Sequence, residues 1–372
     1  MPRLIPLIVI AVAIYFWLKA RKAKKATGAH GSAGRVSNGD VAKAAAKLGL
    51  VPADRLDVEM IAPETPERKA VRAAVAAGDW KAAAAFAEEA GRDWHQRTRR
   101  ITLLADLAVK DDDWLRAWLR EQPQDPAANA VNASALVYVA WEIRGNLRAK
   151  ATSSEQFDGF HRVLAQARAA FAKAQELAGD DPSPFIGELP LAMGLGLPHE
   201  YVEELWAEIE KRDPYHLTAH TNALQYWCAK WRGSHEAMHE FARRAAARGG
   251  EGRLLTLLPL EAYFEEETHE SDIDPQSFYS RPEVVAATDA ALADVAAATA
   301  LMDPRDGRIL MVRHMLAWML FWQDRYEEAL EQYREIDGYI GCAPWTYSSD
   351  PKDRYTNTRD YTAAQIVKAR SL

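Results

Sequence analysis

GDWKAAAAFAEEA at residues 78–90 and DDWLRAWLREQPQ at residues 112–124 carry one pattern twice, and that pattern decides the fold. Trp80 and Trp114 lie 34 residues apart, each preceded by an acidic turn and followed three residues later by an alanine, Ala83 and Ala117. A polar turn, an aromatic residue that opens a helix and a small residue one turn later describe two antiparallel helices closing on each other. A fixed period of this length is the mark of stacked helical hairpins. QDRYEEALEQY at residues 323–333 repeats the pattern with Tyr326 and Ala329, and Gly233-Ser234-His235 followed by Met238 is a weaker copy.

Asp-Pro pairs punctuate the same stretch at Asp125-Pro126, Asp181-Pro182, Asp213-Pro214 and Asp303-Pro304. Aspartate satisfies the free amides of a helix start and proline fits the first helical turn, so each pair predicts a helix start. Aligning Asp125-Pro126 on Asp213-Pro214 also pairs Tyr138 with Tyr226 and Arg144-Gly145 with Arg232-Gly233. No sustained period-two run of β-branched residues occurs. The predicted class is therefore all-α, a tetratricopeptide-like helical-hairpin solenoid of about seven helix pairs from residue 66 to 372. Ala83 and Ala117 are expected at close helix crossings, and Glu265 to Arg281 as an acidic loop.

The amino terminus reads differently. Leu4 to Leu18, LIPLIVIAVAIYFWL, is apolar throughout. As a helix it spans about 22 Å, against roughly 30 Å of bilayer hydrocarbon. Lys19 and Arg21 can snorkel, and Tyr15 and Trp17 suit an interface. A cleaved signal peptide has its positive charge ahead of the apolar run. Here one arginine precedes, and Lys19, Arg21, Lys22, Lys24 and Lys25 follow. The expectation is a single transmembrane anchor over residues 1–25 with the carboxyl side in the cytoplasm. A Gly/Ser/Ala linker (26–39) and a short helix with a proline-rich connector (40–65) should lead into the repeat body (66–372).

Net charge is −7, but six of the 46 basic residues lie in the first 25, leaving 40 against 53 acids in the rest. A body that acidic repels phosphate backbones, which argues against nucleic acid as a partner. The two cysteines, Cys228 and Cys342, sit among apolar neighbours and form no metal-binding pair.

Gln225 to Arg244, QYWCAKWRGSHEAMHEFARR, resembles a motif of an uncharacterised family of bacterial tetratricopeptide-like proteins common in actinobacteria. Cys228, Lys230, Trp231, Gly233, Ser234, Glu236, Met238, Phe241, Ala242 and Arg243 fill that motif. The resemblance, looser from Trp80 to Leu260, implies the fold and carries no activity.

Two constellations are candidates for function. Tyr226, Trp227 and Trp231, clustered with Lys230 on one expected helix, can line a groove for a protein or peptide or pack between helices. His235-Glu236-Ala237-Met238-His239 has the spacing of two zinc ligands on one helix face with Glu236 as general base, and Glu261 stands where a third ligand can. Against zinc, His235 takes the place of the turn aromatic and Met238 that of the small residue. The expectation is a binding protein with no catalytic residue, metal or cofactor; a zinc-dependent hydrolase is the alternative.

Overall fold

The computed structural model describes residues 38–145 and 153–371. The expected anchor at Leu4–Leu18, most of the 26–39 linker and most of the insertion after Gly145 lie outside the described residues. Among those described, the chain is all-helical. The helices are α1 (Asn38–Lys47), α2 (Pro66–Ala76), α3 (Trp80–Glu88), α4 (Trp94–Lys110), α5 (Asp113–Glu121) and α6 (Pro126–Arg144). They continue as α7 (Ser154–Leu177), α8 (Ser183–Leu195), α9 (His199–Arg212), α10 (Leu217–Trp227), α11 (His235–Gly249) and α12 (Leu257–His269). Last come α13 (Pro275–Tyr279), α14 (Pro282–Leu301), α15 (Gly307–Trp322), α16 (Tyr326–Ile336) and α17 (Pro351–Ala369).

The hairpin turns form for local reasons. Gly78 takes a left-handed conformation (φ 82°). Its N–H bonds Val75 O while that of Asp79 bonds Ala74 O, which closes α2 by the Schellman pattern. Asp79 then accepts from the amides of Lys81 and Ala82 and opens α3. Asp324 does the work of Gly78 before α16, with φ 57° and bonds to Phe321 O and from Arg325 to Leu320 O. Ala83 and Ala329 are fully buried, as a small residue at a close crossing should be.

The second copy differs from the expected register. Residues 112–114 contain no glycine, and α5 opens at Asp113, one residue before the tryptophan. The buried face becomes Trp114, Leu115 and Trp118, and Ala117 is left half-buried. Two Asp-Pro pairs also miss the helix start. Asp213 and Asp303 instead accept from the amides two residues on, and the caps fall to His216 and Asp306.

The expected single body from 66 to 372 resolves into two compact units. One runs from Glu64 to Met238; the other combines the described residues up to Pro63 with those from His239 onward. In the first, α6 is buried on almost every side, which matches its lack of a polar face. Gly187 lets α8 approach α7 closely: a Cβ there would stand 3.0 Å from the Phe171 ring. A buried polar chain ties α4, α8 and α10. Arg97 pairs with Asp181 at 3.0 Å, Asp181 accepts from the amide of Ser183, and Thr98 bonds Ser183 Oγ at 2.9 Å. His216 Nδ1 accepts from the amide of Ala219, so Nε2–H faces Thr98 Oγ1 and Trp94 O, both at 3.2 Å. His220 donates to His216 O, and burial pushes its pKa down to about 4.

In the second unit α15 is the central helix, buried from Ile309 to Trp322 on several faces and walled by α12, α14 and α16. The 40–65 connector belongs to this unit. Asp57 pairs with Tyr339 as a parallel bridge, Ile340 N–H bonds Asp57 O at 2.7 Å, and Arg359 reaches Val51 O at 2.7 Å. The expected acidic loop from Glu265 to Arg281 is mostly helix. Glu265 is buried and accepts from the Tyr347 hydroxyl, Glu266 pairs with His239, and Glu267 accepts from Tyr279. Three successive glutamates thus serve three partners. One described helix, α14, is long and apolar enough to cross a membrane. Its packed face holds buried Asp294, which accepts from Gly252 N at 2.6 Å and Thr256 Oγ1 at 2.7 Å.

Replacing Ala83 with Leu should overpack its crossing and destabilise the protein by roughly 1–3 kcal/mol, whereas Ala117→Leu should be close to neutral. Urea denaturation of the two variants checks the register directly; equal losses would contradict it. His220 carries a pH prediction. Its unfolded pKa is near 6.5 and its folded value about 4, so the unfolded chain takes the proton first. Stability present above pH 6.5 is therefore lost as pH falls toward 4, by on the order of 3 kcal/mol. His220→Asn, which keeps a donor toward His216 O, should lose less between pH 7 and 4.5 than the wild type. Superimposable pH profiles would refute the assignment.

Candidate functional site

The aromatic cluster expected on one helix is divided by a chain reversal. Helix α10 ends at Trp227 because Cys228 is extended (ψ 147°). Its thiol donates to Leu224 O at 3.3 Å and lies 3.3 Å from Met238 Sδ, which pins the reversal to the first turn of α11. Trp231 N–H and Gly233 N–H then both bond Cys228 O. Gly233 passes so close to α10 that a Cβ would lie 1.8 Å from Trp227 O. Only glycine fits there. Lys230 and Trp231 thus stand on the reversal and not on the helix, a correction to the sequence reading.

The four sequence-selected residues part into two groups. Tyr226 is fully buried, donates to Leu197 O at 2.7 Å and packs edge-on against Trp227. Trp227 is half-buried against the His199 ring at 4.8 Å, and His199 Nε2 donates to Arg232 O. Tyr226 is therefore core, while Trp227 joins α10 to α9. Trp231 goes the other way. It is half-buried, edge-on to Trp141 of α6 with centroids 5.7 Å apart at 87°. Arg144, the last residue of α6, lies 5.3 Å from the Trp141 centroid and 5.9 Å from that of Trp231. Phe160 closes the cluster 5.0 Å from Trp141.

Arg144 is 8% exposed, and burial alone lowers its pKa from the ordinary arginine value. Among the described residues its hydrogen bonding is a long contact to Gly145 O at 3.5 Å. The nearest acid in sequence, Glu142, is exposed and interacts with Asp106 and Lys110 of α4. The indole N–H groups of Trp141 and Trp231 are buried without an acceptor among the described residues. Sequence reasoning did not select Trp141 or Arg144; the internal match of Arg144-Gly145 with Arg232-Gly233 marked a helix end that forms at Arg144 but not at Arg232, since α10 stops at Trp227.

The His-Glu-x-x-His candidate falls at the start of α11, where Ser234 Oγ accepts from the amide of Ala237. His235 is the first helical residue and half-buried; Glu236 is exposed. His239 Nε2 is 2.6 Å from Glu266 of α12, and its ring lies 4.9 Å from Tyr263. Glu261 is half-buried on α12. Comparison with family models, curated proteins and solved structures gives no match.

Proposed function

We propose that this chain is a membrane-anchored scaffold or adaptor with its body in the cytoplasm, built of tetratricopeptide-like hairpins and binding a protein or peptide partner. The observation that carries this reading is the Trp141–Arg144–Trp231 cluster. Tryptophan and arginine are the residues in which binding energy concentrates at protein interfaces. Here they meet where a helix end faces a chain reversal that also carries Lys230. The hairpin reading is supported by the recurrence of the Gly78-type turn before α3 and α16, with Ala83 and Ala329 buried at the crossings. The anchor reading is supported by the charge order around Leu4–Leu18. Tetratricopeptide-like stacks hold partners in this way, through side chains on a rigid frame.

Photo-crosslinking in the native host tests this with a crosslinking amino acid at Lys230. A defined adduct that disappears on Trp231→Ala is the expected result, alongside cytoplasmic activity of a reporter fused after Leu372. Export of that reporter would overturn the topology. Stoichiometric zinc in the purified chain, lost in His235→Tyr, would replace the adaptor by a hydrolase.

A further inference from the structure

We infer that the Trp141–Arg144–Trp231 cluster is a site for a carboxylate carried on a peptide. This rests on the peptide-binding reading above and names the chemistry the partner must present. Three donor groups belong to this cluster: the five N–H bonds of a guanidinium and two indole N–H groups. The indole nitrogens are buried, and neither has an acceptor among the described residues. Arg144 is more than nine-tenths buried, and no carboxylate among the described residues pairs with it. Cation–π contact with two indoles balances part of the charge but accepts none of the hydrogen bonds in the guanidinium plane. Buried arginine is ordinarily paired, and buried N–H groups ordinarily bonded. Apart from the long contact to Gly145 O, the polar groups of this cluster are all donors, which is complementary to an acceptor that arrives from outside.

The class of acceptor follows from the walls and the charge. A carboxylate presents two oxygens in one plane and matches the guanidinium fork bidentately. Trp141, Trp231 and Phe160 surround the charge with apolar surface, which suits a carboxylate on an aliphatic stem better than a strongly hydrated phosphate dianion. The surroundings reinforce the sign. The reversal from Cys228 to Ser234 carries Lys230 and Arg232 and no acid. In an otherwise acidic chain this is a locally basic segment.

The test is a titration of the full-length chain, solubilised in mild detergent and labelled with ¹⁵N-indole tryptophan, the Trp141 and Trp231 signals being assigned from single Trp→Phe variants. Three probes are added separately: an octaglutamate peptide blocked at both ends, an uncharged octapeptide with a free C-terminal carboxylate, and inorganic phosphate. Saturable movement of both signals with either peptide is the expected result, and the responding peptide tells a side-chain from a terminal carboxylate. Arg144→Met should raise the half-saturating concentration by about tenfold or more, and Arg144→Lys by less, because lysine keeps charge without the fork. The remaining indole signals report whether each variant is folded. Movement with phosphate alone, with none of the probes, or undiminished in a folded Arg144→Met would overturn the inference. Silent indoles beside an intact Trp231-dependent crosslink would refute the carboxylate and leave the adaptor standing; loss of both would refute both.

Discussion

The position of Trp231 depends on one steric constraint: the backbone at Gly233 passes where no side-chain carbon can stand, against the carbonyl of Trp227. With glycine there, the chain leaves α10, reverses in seven residues and restarts as α11. The reversal is held at its other side by Cys228, bonded to Leu224 O and touching Met238. Its outcome is chemical as well as architectural. It lifts Trp231 off the helix that carries Tyr226 and Trp227 and sets it against the end of α6. The end of α6 and the reversal, far apart in sequence, thereby contribute one indole each around a buried arginine. The interaction is donor-rich because nothing in the reversal supplies a carboxylate.

The sequence was informative where local chemistry governs. A glycine that accepts a left-handed conformation, an aspartate that caps and an alanine that lets two helices close are short-range requirements, and Gly78, Asp79 and Ala83 meet them as read. It was less informative where a single residue shifts register. Without a glycine between α4 and α5, the helix opens one residue early and buries Trp118 in place of Ala117. It misled where charge was taken for exposure. Glu265, Glu266 and Glu267 look solvated in a row, yet each meets a tyrosine or histidine from another segment. The partners are up to 82 residues away, and no local pattern announces them.

The same limit explains the candidate site and the units. Arg144 reads as an ordinary basic residue at a helix C-terminus, where it favours the helix dipole. Its burial between two indoles is a product of how α6, α7 and the 228–234 reversal pack. The join between the 40–65 connector and the chain near Tyr339 is equally non-local: one parallel bridge and the Arg359 contact to Val51 O bring together segments some three hundred residues apart.

The central claim, that a glycine-locked reversal sets Trp231 against Trp141 and Arg144, is tested most directly by Gly233→Ala. The nuclear Overhauser contact between the Trp141 and Trp231 indoles should be present in the wild type and lost in the variant, with the far-ultraviolet helical signal largely retained. A variant that keeps that contact and the wild-type unfolding midpoint would contradict the account.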